Sequence, residues 1–281
     1  MSAPNAKTQD QAAYWNDEGG RRWVENIERV ERMLQPLSRR LLEGAKPAAG
    51  EHVLDVGCGG GVTSAAFAEA VGPTGRVTGA DVSAVILDVA KQRYGARANL
   101  EFTLGDCAAL PFAPARFDLL ASRFGVMFFP EPDAAFAHLR RAVKPGGRLA
   151  FLAWRALDMN PWMGVPVQAA FSILPRPEPP PPHAPGPFAF ADGARLQGLL
   201  EGAGWREVRL ETVEAMLDLG DPDMAVQQMI RMGPPAPIFA TADAATQENV
   251  IAAVLQAVAP HVTNGRITMP GATWLVHATA P

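Results

Sequence analysis

The sequence predicts an α/β fold, a doubly wound sheet of mostly parallel strands with helices on both faces. Three observations carry that prediction. Between residues 51 and 153, short apolar runs alternate with segments of helical periodicity. The first of these runs, "HVLDV", opens directly into "GCGGG", a glycine-rich turn at the carboxyl end of a strand, where open α/β sheets bind their ligands. The 281 residues are 48% hydrophobic, enough to bury one large core.

The elements follow in order. Residues 1–50 read as an N-terminal helical cap, because Trp23, Ile27, Val30, Leu34, Leu37 and Leu41 recur at helical spacing, with Pro36 expected to break or kink the helix. After "HVLDV", the helix "TSAAFAEAV" places Phe67, Ala70 and Val71 on one face. The strand "RVTGADV" precedes the helix "AVILDVAKQRY", where Val85, Ile86 and Val89 share a face. "LEFTLGD" and "FDLLASRFGV" read as two further strands. The next helix turns Phe136, Leu139 and Val143 inward and is stopped by "KPGG" before the strand "RLAFLAW".

The remainder of 51–281 completes the domain, with lid insertions expected at about 155–190 and 221–262. Pro175 to Pro187 contains eight prolines in 13 residues, which excludes helix and central strand and predicts a stiff, extended loop across the mouth of the sheet. A helix resumes at "ARLQGLLEGAGW", and "REVRLETVEAML" and "RITMPGATWLVHATA" read as the final strands. Residues 221 to 262 between them read as mostly helical with a break at "GPPAP". No internal repeat is found.

Composition narrows the partners. A net charge of −4 supplies no basic field for nucleic acid or anionic lipid, and no apolar run approaches the ~18 residues that span a bilayer. "MSAPNAKTQD" lacks the basic start and apolar core of a signal peptide, so a cytoplasmic protein, monomer or homodimer, is expected. Two cysteines are too few for a disulfide framework or a Cys-rich zinc site, and no metal is expected.

The glycine turn carries the chemistry. Gly57, Gly59 and Gly61 bare the backbone toward a ligand, Asp55 stands two residues before the first glycine, and Asp81 ends the second strand, where a carboxylate can take a ribose diol. A dinucleotide fingerprint would need glycine at position 62, which is Val62, and an acid beside the glycines suits a pyrophosphate poorly. A cationic, phosphate-free ligand such as S-adenosylmethionine fits better. In "GDCAALPF", Asp106 can accept from an adenine amino group while the Cys107 amide donates to the ring.

"VLDVGCGGG", "VTGADVS", "GDCAALPF", "FDLLASRFGVMFF" and "VKPGGRLAF", in this order, resemble the class I S-adenosylmethionine-dependent methyltransferases, most of all the branch that contains the ubiquinone/menaquinone biosynthesis C-methyltransferases. The resemblance covers residues 51 to 153 and, more loosely, "YWNDEGGRRW". It implies a Rossmann-like, seven-stranded sheet with an antiparallel last strand, and S-adenosylmethionine as methyl donor with S-adenosylhomocysteine as product. It places Asp55 and Gly57 near the methionine half, with Cys58 and Gly59 in the same turn, Asp81 on the ribose, Val82 against the adenine and Asp106 on its amino group. Both cysteines are expected to be structural.

Methyl transfer from a sulfonium requires alignment, exclusion of water and, for some acceptors, a base. Trp15 and Trp23 in the N-terminal layer can contact the cofactor through cation–π attraction or simply pack the core. Arg123 can hold the cofactor carboxylate, hold an acidic acceptor, or stand solvated at its strand end. Phe124 and Met127 can floor the acceptor pocket or belong to the core, and Trp154 and Trp162, flanking the start of the proline loop, can line that pocket, or "NPW" at 160–162 can simply cap a turn. Of the five histidines, His183 in the proline loop is the candidate base, and an acidic nucleophile would need none. The expected function is methyl transfer to a small, largely apolar or aromatic molecule. A non-catalytic S-adenosylmethionine-binding scaffold or sensor, or a nucleotide-dependent oxidoreductase, are the alternatives.

Overall fold

The structure is a computed structural model and describes residues 6–281, with side chains from residue 11 onward. All of "MSAPNAKTQD", read above for targeting, therefore lies outside the described side chains. Five parallel strands form the centre: β1 (His52–Val56), β2 (Arg76–Asp81), β3 (Leu100–Leu104), β4 (Phe117–Arg123) and β5 (Val143–Trp154). The long strands β6 (Arg206–Gly220) and β8 (Arg266–Thr279) extend the sheet, β8 running antiparallel to both of its neighbours. The order is β3-β2-β1-β4-β5-β8-β6, and the two-residue β7 (Val262–Thr263) pairs with β8 off this path. Chain order reverses between β1 and β4, and the crevice at their carboxyl ends is where such sheets receive ligands.

β1 is buried from Val53 to Val56, the continuous apolar pattern of a strand covered on both faces. The one polar residue of that buried run, Asp55, lies between Gly79 of β2 and Ala121 of β4 in the pairing register, so the small neighbours leave its carboxyl room. Helices α3 (Val62–Val71), α4 (Ala84–Tyr94), α5 (Pro132–Ala142) and α7 (Gly193–Gly202) follow the strands. Ser83 caps α4 by accepting from the Ile86 amide, and Asp192 caps α7 from the Arg195 amide. In α3, Phe67 and Val71 are buried while Ala70 is exposed. In α4 the buried stripe is Ile86, Leu87 and Ala90, one position on from the predicted Val85 and Val89. Both corrections have one cause: a helix covering a sheet buries a wide face whose centre is set by the strands beneath.

The N-terminal layer consists of α1 (Ala6–Asn16) and α2 (Glu18–Ala45). Pro36 does not break α2, which continues for 28 residues. Proline forfeits only the hydrogen bond to Arg32, while Val30, Met33, Leu34, Leu37 and Leu41 are buried on both sides of it, and that packing outweighs the local penalty. "KPGG" also departs from expectation, because it lies within β5. The pairing jumps there from Phe117↔Val143 to Leu119↔Arg148, a bulge that accommodates the extra residues.

Between β5 and β6 come α6 (Pro161–Ala170) and the proline loop, which has no regular structure from Pro175 to Pro182. After β6, α8 (Pro222–Met232), α9 (Ala236–Thr241) and α10 (Ala244–Val258) form the second helical insertion, interrupted at Gly233–Pro235. Among the described residues, no helix is long and apolar enough to cross a membrane.

Candidate functional site

The turn after β1 is pressed against the segment after β4. Gly57 has φ +66°, and a Cβ built on it would lie 2.7 Å from the Cα of Gly125, so two backbones meet where no side chain fits. The turn is held from below: the Gly57 and Cys58 amides both donate to the Ala80 carbonyl at 2.8 and 3.1 Å. β4 ends at Arg123. Phe124 then takes φ +69°, which turns the chain into the short 3-10 helix Gly125–Phe128.

Three acids stand at three successive strand ends. Asp55 is fully buried, and one carboxylate oxygen accepts from the hydroxyls of Thr63 and Ser64, both at 2.7 Å, while the other has no partner. Burial pushes its pKa up to about 6 against the pull of those two hydroxyls and of Arg123. Asp81 is half-buried and accepts from the Gly59 amide at 2.8 Å and the Ser83 amide at 2.9 Å. Burial raises its pKa too, with the Ser83, Gly59 and Val82 amides opposing. Asp106 is half-buried and accepts from the Ala108 amide at 2.9 Å, which orders the turn carrying Cys107. Cys58 and Cys107 are buried and unpaired, and burial together with the charge of Asp81 raises both thiols, so neither is a ready nucleophile.

The N-terminal layer clamps the loop that follows Asp81. The Asn16 side chain donates to the Val82 carbonyl at 2.9 Å and accepts from the Ala84 amide at 2.9 Å, and the Ser83 hydroxyl donates to the Trp15 carbonyl at 2.6 Å. Trp15 packs edge to face on Phe128 at 5.2 Å and on Trp23 at 6.0 Å between centroids. These rings link the segment after β4 to the segment over the glycine turn. Gly19 and Gly20 make the fold-back possible: a Cβ on Gly19 would lie 2.3 Å from a carbon of the Tyr14 ring, and one on Gly20 would lie 2.0 Å from the Trp15 carbonyl oxygen.

Arg123 is not solvated at its strand end. Its side chain is 6% exposed, and its two terminal nitrogens bond both oxygens of Glu31 at 2.6 and 2.7 Å and the Ser38 hydroxyl at 2.8 Å. It anchors α2 to β4. Phe124 stacks on Trp154 at 4.4 Å with planes 3° apart, and Trp154 meets Trp162 at 4.9 Å. The Trp154 amide donates to Met127 Sδ, so all four residues form one aromatic and thioether wall beyond the glycine turn. Phe124, Met127 and Trp154 are buried in it, and Trp162 is half-buried. The proline loop reaches the same place, since the Gly186 amide donates to the Met127 carbonyl at 3.1 Å. His183, three residues earlier, is exposed with φ +62°.

Sequence reasoning missed several residues. Thr63 and Ser64 hold Asp55, and their place in the first turn of α3 was the signal. Asn16 and the Gly19–Gly20 pair close the N-terminal layer, and a glycine pair at a helix start marked the close approach. Asn160 is fully buried and ties the Arg155, Ala156 and Ala272 carbonyls together while orienting the Trp162 indole. Glu31 carried no sequence signal distinguishing it from the surface acids of α2.

Comparison with known proteins points to the same region. Residues 53–147 match the family described as "Methyltransferase domain". The demethylmenaquinone methyltransferase of Staphylococcus aureus is 36% identical over 114 residues, 41% of this chain and 47% of that protein. The chain thus spans about half the length of the curated relatives it matches. A putative methyltransferase of Bacillus halodurans C-125 superposes with a TM-score of 0.57 at 20% identity, over 87% of this chain and 98% of that one. Phosphoethanolamine N-methyltransferase 2 of Haemonchus contortus, in complex with S-adenosyl-L-methionine, superposes with a TM-score of 0.58 at 15% identity, over 96% of this chain and 60% of that one.

Proposed function

We propose that this chain, whose fold is that of the class I S-adenosylmethionine-dependent methyltransferases and whose relatives include a menaquinone-biosynthesis methyltransferase, transfers a methyl group from S-adenosylmethionine to a small, largely apolar or aromatic acceptor. One observation supports the cofactor above others. Three carboxylates stand around a bare glycine turn, and the guanidinium at the end of β4 is neutralised by Glu31. That set of acceptors fits a cation without phosphate, bearing a diol, an amino-substituted base and an ammonium. Bound, the cofactor supplies a methyl group already activated on a sulfonium.

The residues have these tasks in the proposal. Asp81 accepts from the ribose hydroxyls, Val82 lies against the adenine, and Asp106 accepts from its amino group beside the Cys107 amide. Asp55, Gly57, Cys58 and Gly59 border the methionine half. Trp15 offers a ring face toward the sulfonium, and such attraction contributes about 0.5 to 2 kcal/mol. Helix α1, pinned by Asn16 and Ser83, excludes water from this end. Phe124, Met127, Trp154 and Trp162 form the apolar wall for the acceptor, and the proline loop closes over it from Met127. Apolar walls select an apolar acceptor because a polar one would lose its hydration uncompensated. No general base is assigned, since His183 points its loop toward solvent and a phenol or activated carbon is acidic enough to do without one.

The experiment is a screen of phenols, quinols, amines and carboxylic acids with isotopically labelled S-adenosylmethionine, reading the mass and position of the new methyl. Label is expected on the aromatic, apolar members. Transfer confined to small polar amines or acids would contradict the acceptor class.

A further inference from the structure

Four buried side-chain atoms among the described residues lack a hydrogen-bond partner: Asp55 Oδ1, Trp23 Nε1, Arg148 Nε and Arg155 Nε. The two arginines are ion-paired through their other nitrogens, to Glu51 and Glu214. Asp55, at the end of β1, and Trp23, on α2, flank the glycine turn. Trp23 Nε1 lies 4.0 Å from the position a Cβ on Gly59 would take, so the indole edge is directed at the turn. An indole N–H can only donate, and leaving it buried and unpaired forfeits the full desolvation of that group.

The proposed cofactor offers four polar regions to this crevice. Its adenine amine, ribose hydroxyls and ammonium are donors, and three carboxylates stand ready for them. Its carboxylate is an acceptor only, and it would be repelled by those same acids. Four amides of the turn are already engaged: those of Gly57 and Cys58 by Ala80, that of Gly59 by Asp81, and that of Gly61 by the Cys58 carbonyl. Of the guanidiniums near the turn, Arg123 has both terminal nitrogens bonded to Glu31 and Ser38, and Arg93, whose Nη1 approaches Gly60, is paired with Glu28. Among the described residues, Trp23 Nε1–H is the buried side-chain donor over the turn that carries no bond.

Resting on the cofactor reading above, we infer that Trp23 Nε1–H receives the carboxylate of the cofactor's methionine end, making Trp23 a cofactor-positioning residue rather than only a packing partner of Trp15. A hydrogen bond to a charged group falls in the range of about tenfold to a hundredfold in affinity, and it discriminates ligands with the carboxylate from ligands without it.

The test compares S-adenosylhomocysteine with its decarboxylated analogue by calorimetry, on the wild-type protein and on Trp23→Phe, which keeps an aromatic body and removes the N–H. Trp23→Phe is expected to lose about tenfold or more on S-adenosylhomocysteine and under about twofold on the decarboxylated analogue. Equal losses on both ligands, or none, would overturn the assignment and leave the cofactor reading standing. A wild-type protein that binds neither ligand would overturn the cofactor reading itself, and this inference with it. Should Trp23→Phe fail to fold, the wild-type protein supplies the second measurement. One indole N–H proton resonance should move downfield with S-adenosylhomocysteine and stay in place with the decarboxylated analogue, and a spectrum in which no indole proton makes that distinction would overturn the assignment.

Discussion

Asp55 couples the fold to the site through one titration. Its pKa is about 6 in the folded chain against 3.8 for the ordinary group. The folded state therefore holds the proton more tightly, and stability falls as pH rises through the window from about 4 to about 6, with the full cost, about 3 kcal/mol, present above it. Asp55→Asn keeps an acceptor for Thr63 and Ser64 and removes the buried charge. It should raise unfolding free energy by about 1 to 3 kcal/mol near pH 8 and by much less near pH 4, while weakening S-adenosylmethionine. Urea denaturation at the two pH values checks this, and an equal gain at both would refute the buried-charge account. Arg123 and Glu31 make the opposite case, a buried pair in which each charge neutralises the other. Glu31→Met alone should destabilise by about 3 to 5 kcal/mol because it strands the guanidinium, and the double variant Glu31→Met/Arg123→Met should recover much of that loss. Additive losses in the same denaturation series would contradict it.

At the scale of elements, α1 and the proline loop approach the crevice from its two ends. α1 depends on a contact that only glycine permits, since a Cβ at position 20 would press on the Trp15 carbonyl. Gly20→Ala should displace Trp15 and Asn16 from the loop after β2 and weaken S-adenosylmethionine by about tenfold, equivalent to about 1.4 kcal/mol, with the thermal midpoint little changed because the sheet is untouched. Calorimetry beside a thermal melt separates the two effects, and full affinity in Gly20→Ala would remove α1 from the site. The proline loop is joined to Met127, on the side proposed for the acceptor. Deleting residues 176–187 should raise the acceptor KM well above any change in cofactor Kd, and equal losses in a folded protein would refute its role as a lid.

For the whole molecule, the sheet and its ligand-binding end were legible in the sequence because β1, β2 and β4 are buried on both faces and announce themselves as apolar runs closed by Asp55, Asp81 and Arg123. Local rules failed where tertiary packing decides. Pro36 stays inside α2 because the apolar stripe around it is buried against the sheet, and "KPGG" becomes a bulge because β4 and β5 pair on both sides of it. The partner of Arg123 was invisible because Glu31 is 92 residues away in the chain. The Trp15–Phe128 contact, which joins the N-terminal layer to the segment after β4, spans a still longer separation. What unites these parts is one crevice at the reversal of strand order, which the proposed function fills with a cationic nucleoside. Calorimetric titration with S-adenosylmethionine, of the wild-type protein and of Asp81→Ala, tests that claim most directly. The account predicts one site per chain in the wild type and a loss of about 1.5 to 3 kcal/mol in the variant, and a folded Asp81→Ala protein with unchanged affinity would contradict it.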